Sequence, residues 1–184
     1  MKTETSTDTV KVWHLPVRLF HWSLATAFAV AYLTSGQWDT IHEYTGYTIA
    51  SLVVLRIAFG FFGPNVTKFK QFLHHPAVII DYLRDMKHGR ERRYIGHNPA
   101  GGAMIVVLLV SIATTCLFGW MQTTDRYWGV DWVQNVHAFM GNFVLALVVF
   151  HLLGVILASV RHRENLVRAM WTGIKRGPDG SDAH

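Results

Sequence analysis

The chain has 184 residues, enough for one domain or one small helical bundle. Hydrophobic residues make up 51% and charged residues 16%, against about 25% charged in soluble domains, and the charges are segregated, which excludes an ordinary globular core. One cysteine excludes an internal disulfide framework, and the net charge of +5 is placed where an anionic membrane leaflet, not nucleic acid, would meet it.

Taken in chain order, residues 1–16 read as a short polar leader with Lys2 and Lys11. A first apolar helix is expected over about 17–35, with Arg18 at its edge and His21 inside it. No small-residue cleavage site follows it, so it reads as a retained helix and not a signal peptide. A second helix is expected over about 41–62, opening on His42 and containing Arg56. The connection 63–99 is basic, and its run after Pro76, AVIIDYLRDMKHG, reads as an amphipathic helix lying on the membrane surface. A third helix, about 100–121, carries no charge; its Cys116 reads as a small buried apolar residue. A fourth, about 132–160, is uncharged and long enough to span with length to spare, and it holds His137 and His151. Residues 161–184 read as a polar tail, disordered from 177 onward.

Loop charges set the orientation. Fifteen Lys and Arg residues lie in the first segment, with Arg18 counted at its boundary, in the 63–99 loop and in the tail, against Arg126 alone in the two short loops. Both termini are therefore expected in the cytoplasm. The Trp residues agree: Trp13, Trp22 and Trp171 fall towards the inner surface, and Trp38, Trp120, Trp128 and Trp132 towards the outer one, as headgroup belts do.

An ionisable residue inside a span is expensive and marks function. His137 and His151 are 14 residues apart, about 1400° of turn and about 21 Å of rise, so both leave one face near opposite surfaces. His21 enters from the inner side and matches His151 in depth; His42 matches His137 at the outer side. Each pair offers two neutral imidazoles to one haem iron. With no C-x-x-C-H motif, two such haems would be held non-covalently, as b haems. Arg56 follows His42 by 14 residues, shares its face, and is assigned to a propionate of the inner haem. Gly46 and Gly141 each follow a histidine by four residues and leave room for a flat macrocycle, with Gly154 three beyond His151. His74, His75, His88, His97, His162 and His184 fall in loops or the tail and are expected to be solvated, with His14 just ahead of the first helix. No Asp or Glu lies mid-membrane, which argues against a proton or divalent-cation carrier.

The segments VWHLPVRLFHW (12–22), IHEYTGYT (41–48), LRIAFGFFGP (55–64), RRYIGHNPAGG (92–102) and the two-histidine fourth helix resemble the bacterial di-haem cytochrome b561 family, which includes hydrogenase b-type subunits. The resemblance covers roughly residues 11–175 and implies a bundle of four transmembrane helices in the bacterial inner membrane. It implies two b haems on His21, His42, His137 and His151, and electron transfer between quinone or quinol and a redox partner such as a periplasmic c-type cytochrome. Tyr32, Tyr44 and Tyr47 could line a quinone site near the outer haem, but tyrosine is common at membrane interfaces and they are left out of the assigned site. The alternatives are a quinone reductase fed by superoxide or another small donor, and a membrane anchor of a larger oxidoreductase such as a hydrogenase. Membrane lipid and a second copy of the chain complete the expected partners.

Overall fold

The computed structural model describes residues 9–64, 68–178 and 182. In chain order it contains β1 (Thr9–Lys11), α1 (Leu15–Thr34), α2 (Asp39–Phe62), a 3-10 turn (Phe69–Gln71), α3 (Pro76–Lys87), α4 (Pro99–Gln122), α5 (Asp131–Arg161), α6 (Leu166–Thr172) and β2 (Ile174–Arg176). The long helices α1, α2, α4 and α5 run in alternating directions and pack in sequence order. Helix α5 packs mainly along α4 and less closely on α1 and α2, which it meets at Val144 and through the Asn142–Tyr32 hydrogen bond.

Among the described residues, three helices, α2, α4 and α5, are long and apolar enough to cross a membrane. Helix α1 is 20 residues long but begins with Pro16, Arg18 and His21 in its first two turns, and it is not among them. The surface of the bundle is apolar: Phe62, Val110, Phe139, Phe150, Leu153, Ile156 and Val160 are all exposed. Water would not tolerate so continuous an apolar surface, whereas hydrocarbon does, since each helix satisfies its own backbone.

Local sequence explains how α4 starts. Asn98 precedes a proline and is therefore extended. Its Oδ1 accepts from Gly101 N–H at 2.6 Å, while Pro99 lacks the donor that a first helical residue would leave unpaired. Gly102 lies directly against the Phe72 carbonyl, an approach that a Cβ would block.

The end of the bundle that carries both termini is capped. Strand β1 pairs antiparallel with β2, Val10 opposite Lys175. Gly173 closes α6 in a left-handed conformation (φ +84°) and its carbonyl accepts from Val12 and Trp13 N–H at 2.8 and 3.1 Å. Arg18 of α1 donates to the carbonyls of Met170 and Trp171. Beneath the strands, Arg93 pairs with Glu164 at 3.0 Å and Asp182 at 2.6 Å, with all three side chains nearly buried. Lys175 Nζ donates to the Tyr94 and Ile95 carbonyls at 2.9 and 3.0 Å. Burial pushes the Lys175 ammonium down, outweighing the pull of Glu164. Burial would raise the Glu164 carboxyl, but hydrogen bonds from Arg93 and the Arg176 N–H hold it below the usual range. The segment from Arg161 to Arg176 is thus folded onto the bundle; of the expected disordered tail, residues 179–181, 183 and 184 lie outside the described residues.

Candidate functional site

At the end away from the termini, His42 sits in the first turn of α2 and His137 in the second turn of α5. His42 Nδ1 lies 2.8 Å from the Ala31 carbonyl of α1, and His137 Nδ1 lies 2.9 Å from the Thr115 carbonyl of α4. A carbonyl only accepts, so Nδ1 carries the proton in both rings and Nε2 keeps its lone pair. That is the second-sphere arrangement typical of metal-ligating histidine. The two rings stand 5.9 Å apart, centre to centre, at 88°. Two neutral imidazoles this close, each with Nε2 available, could be held by one metal.

The helix backbone leaves space beside this pair. A Cβ on Gly46 or Gly141 would meet nothing within 4 Å, and the same holds for Gly154 beside His151. Gly119 of α4 is different: its Cβ would lie 2.9 Å from His137 Cε1. The glycine admits the imidazole and fixes how close it approaches α4. Spacing on one helix could not reveal this residue, because the contact crosses between helices.

At the terminal end, His21 of α1 and His151 of α5 lie within electrostatic range of each other. His21 Nδ1 is buried without a hydrogen-bond partner, beside the Trp22 ring at 5.2 Å. Arg56 is half-buried on α2, with its guanidinium carbon 5.0 Å from the Phe69 ring centre and 5.8 Å from that of Phe72. Cation–π contacts of this kind help hold the guanidinium in place.

His97 corrects the reading of the loop histidines as solvated. Its ring packs between Trp13 at 4.4 Å and Phe72 at 5.1 Å. Burial, helped by Arg56, Lys175, His151 and His21, pushes it down to about 4. It is a neutral member of the terminal-end cluster. The motif around it marks the turn into α4 but not the neighbours, which come from the link between β1 and α1 and from the residue that closes the 3-10 turn. His75 is also not idle: its Nδ1 caps α3 by accepting from Ala77 N–H.

Between the two levels lies a hydrocarbon layer. Val144 is fully buried and stands seven residues from both His137 and His151; Ile49, 4% exposed, stands seven from both His42 and Arg56. Seven residues are close to two turns, so each midpoint lies on the face that carries the polar groups. Val53, Leu109, Ile112 and Ala31 complete this core.

Among the described residues, no three His, Cys, Asp or Glu converge as a cluster for a bare metal ion. The histidines come in twos. A haem iron asks for two, because the porphyrin supplies its other four ligands. Half-buried imidazoles with a free Nε2, one orphaned ring nitrogen and open space at the glycines suit that group.

A family model, prokaryotic cytochrome b561, matches residues 12–173. No curated protein and no solved structure matches the chain significantly.

Proposed function

The chain belongs to the prokaryotic cytochrome b561 family, and from that premise we propose that it moves electrons across a bacterial inner membrane through two stacked b haems. The family makes it a membrane b-type cytochrome of electron transport. The proposal adds four spans, with α1 as the fourth, both termini in the cytoplasm, and exchange between a membrane quinone and a redox protein at the outer side. Fifteen basic residues on the terminal side against Arg126 opposite support that orientation.

When bound, each haem supplies an iron that alternates between ferric and ferrous. His42 and His137 would hold the outer group through Nε2, kept available by the Nδ1 bonds to Ala31 and Thr115. His21 and His151 would hold the inner one. Arg56 would meet a propionate there, since a guanidinium binds a carboxylate bidentately. Gly46 and Gly141 leave the space a macrocycle needs. Val144 and Ile49 exclude water between the levels. Paired histidines leave no open coordination position, so the site suits electron transfer over chemistry at iron.

The observation that carries this reading is the His42–His137 pair, 5.9 Å apart with both Nδ1 atoms bonded to backbone carbonyls. Haem quantitation with a reduced-minus-oxidised spectrum tests it. Two b haems per chain are expected, and one or none would refute the pairing.

A further inference from the structure

The terminal end holds a surface cleft of about 390 Å³ with no part in the haem reading. Its basic lining is Arg92, Arg93, Arg161, Arg163, Arg176 and His162, against the carboxylates of Glu91 and Asp182. Some of this charge is spent internally: Arg93 on Glu164 and Asp182, and Arg161 on Glu91 at 2.6 Å. Among the described residues, the guanidinium groups of Arg92 and Arg163 make no ion pair or hydrogen bond, and both residues are exposed.

Arg163 also pays a backbone cost. It is the one non-glycine residue with positive φ among those described, at 50°, a conformation that glycine or asparagine adopts more easily. The turn ends α5, with the Arg163 and Glu164 N–H groups donating to the Val160 and Ser159 carbonyls, and it leaves the Arg163 side chain exposed at the cleft. The cleft already accepts an oxyanion of the chain itself, since the Asp182 carboxylate sits 2.6 Å from Arg93 Nη1.

Position identifies the source of the anion. The lipid-facing side of α5 runs through Ile156, 58% exposed, to Val160, 71% exposed, and Arg161 follows immediately. On α6, Val167 and Trp171 are exposed beside it. The cleft therefore begins where the apolar surface stops, at headgroup height, with hydrocarbon contacts directly below. We propose that this cleft is a binding site for the phosphate of an anionic phospholipid of the leaflet at the terminal end, with Arg92 and Arg163 as its principal contacts. Basic pockets at the end of a span bind anionic headgroups by the same chemistry. A free phosphate would use the arginines but not the apolar rim.

The test uses purified holoprotein with short-chain phosphatidylglycerol, short-chain phosphatidylcholine and inorganic phosphate as separate probes, reading retained lipid by native mass spectrometry. Phosphatidylglycerol should bind about tenfold more tightly than phosphatidylcholine. The Arg92→Gln/Arg163→Gln double variant should lose that preference while keeping the haem content and spectrum of the parent. Equal binding of the two lipids, or a preference that survives in the double variant, would overturn the proposal. Inorganic phosphate at millimolar concentration should displace little lipid; full displacement would assign the cleft to a free anion and overturn it as well. Arg163→Gly relieves the backbone strain and removes the charge, so it should be more heat-stable yet bind phosphatidylglycerol less; unchanged binding would count against the site.

Discussion

Gly119 and His137 show how one missing side chain sets a ligand's position. The imidazole lies against the α4 backbone where a methyl group would sit 2.9 Å from Cε1. Gly119→Ala should push the ring off its Thr115 bond, and absorption spectra of the purified variant should show loss or weakening of the haem next to His137 with the other unaffected. His97 makes a separate prediction from its charge state. Burial first, then nearby cations, hold its folded-state value at about 4, below the ordinary 6.5. The folded state therefore binds the proton less well than the unfolded chain. His97 adds stability that is present above pH 6.5 and is lost as pH falls towards 4. Melting temperatures of the parent should drop across that window, and His97→Phe should flatten the slope. The four proposed ligand histidines stand out in the sequence because depth and the 14-residue offset are properties of single helices. Gly119 and His97 were not, since their meaning depends on contacts with His137, Trp13 and Phe72, which periodicity does not encode.

At the scale of elements, the apolar runs made the long helices legible, while the cap was not. Strands β1 and β2 are three residues each and far apart in sequence, so no local pattern announces their pairing. The charges of Arg93, Glu164 and Lys175 read as solvated loop residues, yet each is nearly buried. Such a network is costly to break from one side, because a buried charge is left without its partner. Glu164→Gln should therefore destabilise the cap by about 3 kcal/mol, measured by chemical denaturation or by protease cleavage after residue 160. Cleavage at the parent's rate would contradict it. Helix α1 teaches a different lesson. Arg18 looks like a boundary charge, but it reaches α6 and fastens it through the Met170 and Trp171 carbonyls, so the polar start of α1 serves the cap.

For the whole molecule, the side of α5 that faces α1 and α2 matters most. Helix α5 packs more closely on α4 than on either of them, and each proposed histidine pair joins it to one of the two: α2 at one level, α1 at the other. Two flat groups would add to the contacts that Val144 and the Tyr32–Asn142 hydrogen bond already make across that face. The apolar layer of Val144 and Ile49 would keep them as separate centres along an electron path. The pairing across levels is the central claim, and single-ligand variants test it most directly. His151→Ala and His21→Ala, quantified for haem in purified protein, should each retain one haem per chain, the same one in both cases by spectrum and midpoint potential. His42→Ala should retain the other. If His151→Ala instead removes the haem that His42→Ala removes, the assignment of ligands to levels is contradicted.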